Sequence, residues 1–262
     1  MKLYIESIGL LAPGMNGWPA TRAILRGETG YQWQEVPQTA PTILAPAERR
    51  RCIPLARLTL NAAHEAMQAA PEKMQQQLAC VFSSSDGDSQ TVIQIMDGLS
   101  QAEPDVSPIR FANSVHNATA GYWSIAMALK LGSTCLSAFD ESFAAGLLEA
   151  AAQVADEGVD GLYTASDARF LEPMAELRPL EIDCAVSLLL TRERSSRSIA
   201  SIEITLEDKR TATPLPDYLP PPFSTCPAAR ALPLLAALGK AQEADVYLDY
   251  LDQSLSLKVR PC

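Results

Sequence analysis

The most constraining feature of this sequence is a set of short segments that are apolar without alternation. Leu78-Ala79-Cys80-Val81-Phe82 is the plainest of them. A strand with one wet face alternates polar and apolar residues, so an unbroken run fits a strand covered on both faces. Ser133 to Ala138, Gly161 to Ala165 and Cys184 to Leu190 read the same way, and Leu3 to Ala12 is a largely apolar strand ending at a Pro13-Gly14 turn.

Helical spacing lies between the strands. Pro19 opens a short helix that runs to Leu25 and closes at Gly27, and residues 31–50 read as irregular. Leu55, Leu58, Ala62, Ala66 and Ala69 mark a helix over 54–69. A second covers 88–100 with Val92, Ile93, Met96 and Leu99 on its inner face. Ala118 to Leu131 and Ser142 to Glu157 follow, and Cys184 to Leu190 is expected to pair with Ile199 to Leu206. Alternating elements of this kind predict an α/β fold, one mixed sheet covered by helices on both faces.

Organisation changes after residue 212. Six of the fifteen residues from Thr213 to Pro227 are proline, which reads as an extended connector. A helix over 228–239 and two strands, Val246 to Tyr250 and Ser254 to Val259, form a short extension over 228–262.

Several function classes are disfavoured. A net charge of −10 argues against phosphate-driven nucleic-acid binding. No window of eighteen residues is apolar and uncharged, and Met1 to Glu6 lacks a signal-like stretch, so neither a membrane span nor secretion is expected and the location expected is cytoplasmic. Six scattered cysteines and two histidines, His64 and His116, offer no metal-ligand spacing, so no metal and no cofactor are expected.

Five stretches occur in an order and spacing that resemble one family. Ile8 to Gly14 with RAILRGETG (22–30), CVFSSSDGD (80–88), SPIRFANSVHNATAGYWSI (107–125), CAVSLLLTRER (184–194) and SIASIEITLED (198–208) are similar to segments of β-ketoacyl synthases of the thiolase fold. The resemblance makes residues 1–212 a ketosynthase-like N-terminal domain, and it implies a C-terminal half that this sequence lacks. In that family a nucleophilic cysteine closes a buried strand and opens a helix. Counting from Gly121 puts Asp140 at its place, with Ser142 matching a family serine and Phe143 replacing a glycine.

A carboxylate is a weak acyl nucleophile, so Asp140 is expected to cap the helix rather than react. Cys135, inside the predicted strand, is expected to be a small buried hydrophobe. His64 reads as a solvated or core-edge residue and His116 as a packing residue. No histidine follows His116, so no Cys-His-His set can be assembled.

The resemblance then implies a partnership. NSVHNATAGYWS (113–124) and DESFAAGLLEA (140–150) look most like the short chain-length factors of aryl-polyene systems of the type II polyketide kind. Such a subunit is not catalytic by itself. It pairs with a full-length ketosynthase, as a heterodimer or higher assembly, and shapes the acyl tunnel. Ser133 to Ala138 would run along the partner's strand with Cys135 and Leu136 in the seam. The segment from Ile109 to Trp123 would approach the partner's pocket, with Phe111, Val115, Tyr122 and Trp123 as candidates for the tunnel end and Asn113, His116 and Asn117 beside them. An acidic carrier protein is expected to dock mainly on the partner, because this chain is itself acidic; Arg49-Arg50-Arg51, the one basic run, reads as a solvated face. Two alternatives stay open: a stand-alone acyltransferase or malonyl decarboxylase using Asp140, Glu141 or Ser142, and a purely structural stabiliser of a ketosynthase.

Overall fold

The computed structural model of the 262-residue chain describes every residue except Ala69, Glu72, Lys73 and Gln75. Its organising element is the first strand, β1 (Lys2–Ala12), which turns back at Pro13-Gly14 into the two-residue β2 (Met15–Asn16). Gly14 takes φ +70° there, and a Cβ at that position would lie 2.2 Å from the carbonyl oxygen of Gln32. Only glycine fits. Helix α1 (Trp18–Leu25) follows, with Pro19 in its first turn and Gly27 past its end at φ +73°.

One mixed sheet is present, as expected, and it takes in the two strands of the C-terminal extension as well. Its order is β4 (Ser133–Leu136), β3 (Ala79–Ser83), β5 (Gly161–Asp167), β6 (Cys184–Thr191), β1, β7 (Ala200–Asp208), β9 (Gln253–Pro261), β8 (Ala244–Tyr250), with β2 beside β1. The β4-β3-β5 end is parallel and the rest antiparallel. The expected pairing of β6 with β7 is overturned: both pair with β1, which lies between them. Nearness in sequence suggested a hairpin, but β1 fills that gap.

Helices cover both faces. On one, α3 (Pro54–Met67) and α6 (Ala118–Met127) pack Ala56, Leu60, Ala63, Met67, Ala120 and Trp123 against Cys80, Phe82, Leu162 and Leu189. On the other, α7 (Ser142–Glu157) and α9 (Leu232–Lys240) cover Val81, Tyr163, Val186 and Leu188. Strands such as β3 thus send successive residues to opposite apolar layers, the physical reason for their unbroken hydrophobicity. Contact on the α3 face is close: a Cβ on Gly9 would fall 1.9 Å from the Ala62 carbonyl oxygen.

Other boundaries move. The helix predicted over 54–69 is described to Met67, and Ala69 lies outside the described residues. The helix predicted to run to Leu131 stops at Met127, where Ala128 turns left-handed at φ +49° and Leu129 bonds back to Ser124. The predicted irregular stretch 31–50 contains the start of a short helix, α2 (Pro46–Arg51), opened by its proline. The proline-rich stretch 213–227, expected to be an extended connector, is locally regular from Pro221 onward. It packs as 3₁₀ turns, Pro221–Thr225 and Pro227–Ala231, with Phe223 and Cys226 wholly buried. The last two strands continue the main sheet through β7. Asp167, at the end of β5, ties these parts together, accepting from Ser85 N at 2.7 Å and Ala228 N at 2.8 Å. Burial pushes its pKa up, and these donors oppose the rise.

Candidate functional site

The site is the β4 edge of the sheet and the corner that follows it. Among the described residues β4 has one neighbour, β3, and its other side is open. The prediction of a buried strand from Ser133 to Ala138 is therefore corrected: the strand ends at Leu136 and all four residues are half-buried. An edge strand of this kind presents unpaired backbone groups to another chain. Leu136 packs towards one apolar layer and Cys135 towards the other. Burial raises the Cys135 thiol to about 11, so it is protonated at neutral pH.

Past β4 the backbone turns a corner through a 3₁₀ turn, Phe139–Glu141, into α7. The residue with left-handed backbone is Phe139, at φ +53°, one place before Asp140. A non-glycine residue in that conformation is strained, and such strain concentrates at functional corners. The expectation that Asp140 caps α7 is not met. Among the described contacts its carboxylate is instead 2.6 Å from an Arg178 nitrogen, and its side chain is mainly exposed. Ser142 holds the corner: its hydroxyl accepts from Ala138 N at 3.0 Å and donates to Phe139 O at 2.7 Å. Glu141 reaches the C-terminal segment, accepting from Leu251 N at 2.8 Å.

Arg178 gives no sign of itself in the sequence. It follows α8 (Met174–Leu177), pairs with Asp86 and Asp140, and stacks on Phe139 with its guanidinium carbon 3.6 Å from the ring centroid. Aromatic ring, guanidinium and two carboxylates make one rigid cluster at the corner.

A second group of predicted residues lies on and between α4 (Ser89–Leu99), α5 (Pro108–Asn113) and α6; α4 packs on α5, and α6 packs beside β4. Phe111 (64% exposed), Val115 and Ile109 face outward, as do His116 and Asn117, although His116 Nε2 lies 3.2 Å from the Ser84 carbonyl. Asn113 and Tyr122 turn inward: Tyr122 donates to Asn113 Oδ1 at 2.9 Å, and Asn113 donates to Arg51 O at 3.2 Å. Trp123 is wholly buried in the chain's own core.

The expected inner face of α4 is also corrected. Ser89 and Thr91 are buried, whereas Met96 (61%) and Leu99 are exposed. Helix α6 is apolar on both sides, with Trp123 inward and Ile125 (70% exposed) outward. An apolar helix is normally covered all round. Here one side has no cover among the described residues.

A family model for the N-terminal domain of β-ketoacyl synthases matches residues 25–226. The chain belongs to this family. Solved structures share its fold across nearly the whole length. A chain of the ketosynthase ApeO in complex with its chain length factor ApeC, from Xenorhabdus doucetiae, is 21% identical, with 98% of this chain and 99% of that one covered at TM-score 0.73. A chain of the ishigamide ketosynthase/chain length factor is 14% identical at TM-score 0.74, covering 100% and 99%. A chain of AntDE:AntF, a type II polyketide acyl-carrier protein in complex with its ketosynthase, is 11% identical at TM-score 0.76, again covering 100% and 99%. No curated protein sequence matches. The fold is thus the thiolase-like N-terminal half of a ketosynthase. At the strand-to-helix corner of this ketosynthase-family domain stands Phe139-Asp140-Glu141. Among the described residues no helix is long and apolar enough to cross a membrane.

Proposed function

We propose that this chain is a chain-length-factor subunit, which pairs with an active ketosynthase and shapes the tunnel for the growing acyl chain without performing the condensation itself. The observation that carries this reading is an open edge strand, β4, flanked by α6, whose outer apolar side is uncovered among the described residues. Ile125 exposes a large apolar group on α6, the helix packed beside β4, and Met96, Leu99, Phe111 and Val115 do the same on α4, on α5 and just past α5. Monomeric proteins rarely leave such a surface bare. A homologous ketosynthase offers a matching edge, and an approximate two-fold axis would pair like with like.

The corner chemistry supports the non-catalytic half of the reading. Its nearest thiol, Cys135, is held protonated by burial and sits on β4 rather than at the corner. The Asp140 carboxylate is engaged by Arg178, and the Ser142 hydroxyl is spent on the backbone. Exposed Phe111 and Val115 are the tunnel residues; Tyr122 and Trp123 act behind them as packing. An acidic carrier protein would meet repulsion from a chain at −10 and dock mainly on the partner. The resemblance of residues 113–124 and 140–150 to short chain-length factors favours an aryl-polyene type of pathway.

The test is reconstitution with the ketosynthase of the same host that copurifies with the tagged chain. One-to-one association is expected, together with condensation only when both chains are present and a change in product length when Phe111 is made alanine or tryptophan. A chain that condenses or decarboxylates a malonyl carrier substrate alone would overturn the proposal, as would product length unmoved by Phe111.

A further inference from the structure

The corner cluster has a property that neither tunnel shaping nor folding requires. Phe139 adopts φ +53°, where glycine would be at ease and phenylalanine is not. Its ring is also 58% exposed, so the strain is not offset by burial within the chain. Arg178 covers one ring face, its guanidinium carbon 3.6 Å from the centroid, and is itself held by Asp86 and by Asp140 at 2.6 Å. Arg178 is only 17% exposed, so it is a fixed brace rather than a waving surface arginine. Leu177, immediately before it, is 89% exposed. The chain therefore builds a strained, braced aromatic beside a bare leucine, a few residues past the open edge of β4.

We propose that Phe139, braced by Arg178, is a central anchor of the interface with the ketosynthase partner, which closes over the free side of its ring. The inference rests on the reading of this chain as a partner subunit and adds to it the residue on which association depends. Three arguments favour it. The ring is continuous with the edge strand that the partner would join. Aromatic and arginine side chains dominate binding hot spots, where they sit near the centre and lose their water. A ring already fixed before binding loses little freedom on association, so the strain is stored in the free subunit where it is useful. Arg178 acts through Phe139 as a positioning residue.

This role makes stability and affinity move in opposite directions in one variant. Phe139→Gly removes the ring and relieves the left-handed strain together. The isolated chain should then melt no lower than wild type, while its dissociation constant for the copurifying ketosynthase, measured by interferometry with purified chains, should rise about 30-fold, the scale of a hot-spot truncation. Phe139→Leu keeps apolar bulk without the stacking face and should fall between. Arg178→Lys keeps the charge but loses the planar stack and the fork that joins two carboxylates; it should weaken binding by about tenfold only when Phe139 is present, a coupling that a separate structural role would not produce. Binding of Phe139→Gly within about threefold of wild type would overturn the inference while leaving the partnership intact. A melting temperature lowered by Phe139→Gly would assign the ring to folding and also overturn it. Wild-type chain that fails to bind the ketosynthase, or a homodimer of this chain that Phe139→Gly dissolves, would remove the partner itself.

Discussion

Ser142→Ala offers the sharpest test of how the corner is held. In the native fold one hydroxyl accepts from Ala138 N at 3.0 Å and donates to Phe139 O at 2.7 Å, bridging both sides of the strained residue. Ser142 is 2% exposed, so water has little access to replace it. Alanine leaves the Ala138 N–H without its partner, a cost of about 1–3 kcal/mol, and removes a second bond of about 1 kcal/mol. The expected loss is about 2–4 kcal/mol. Urea unfolding followed through the fluorescence of Trp18, Trp33 and Trp123 would read it as a lowered midpoint with unchanged slope. Asp140→Ala is the internal control. If Asp140 capped the helix it would cost as much as Ser142, but a largely exposed ion pair predicts at most about 1 kcal/mol. A Ser142→Ala loss below about 0.5 kcal/mol, or a larger loss from Asp140→Ala, would refute the assignment of the corner to Ser142. A stable Ser142→Ala protein lacking an activity present in wild type would instead favour a reacting hydroxyl.

Other expectations follow from burial and fit. Trp123→Ala should cost about 3–5 kcal/mol and lower soluble yield, because the indole fills the chain's own core; a stable variant that only changes product length would return Trp123 to the tunnel. Gly146→Ala should destabilise by about 1–3 kcal/mol, since its Cβ would meet the Tyr163 ring at 2.5 Å, and differential scanning calorimetry would detect it. Cys135, with its thiol raised to about 11, should alkylate at pH 8 roughly a hundredfold more slowly than an ordinary thiol, by mass spectrometry of iodoacetamide-treated protein. The sign is fixed by the direction of the shift: raising the pKa removes thiolate at any pH below it, so labelling should accelerate as pH rises towards 11.

Much of the architecture was legible because it is written locally. Helix α7 was read to the residue, and its end is explained by Gly158 at φ +69°. The Pro13-Gly14 turn and the Pro19 helix start carry their own chemistry. What could not be read depends on distant partners. Nothing in the stretch between β6 and β7 says that β1 will lie between them. The apolar stripe on α4 indicates a face to be covered, but it does not say that Met96 and Leu99 stay exposed among the described residues. Arg178 meets Asp86 across 92 residues and Asp140 across 38, separations at which no motif survives. A left-handed phenylalanine leaves no mark in sequence, so nothing there pointed to the strain at Phe139.

The place of β1 has a consequence for how the molecule is made. β1 is synthesised long before its neighbours in the middle of the sheet, because β6 and β7 begin only at Cys184 and Ala200. During synthesis Leu3 to Ala12 therefore waits, apolar and unpaired, while most of the chain emerges. Long-range strand pairing of this kind is slow, and the waiting segment is exposed to aggregation. Chaperone demand during translation should thus centre on the opening dozen residues, and slowing the ribosome after Asp208, once both neighbours of β1 exist, should help folding more than slowing it earlier.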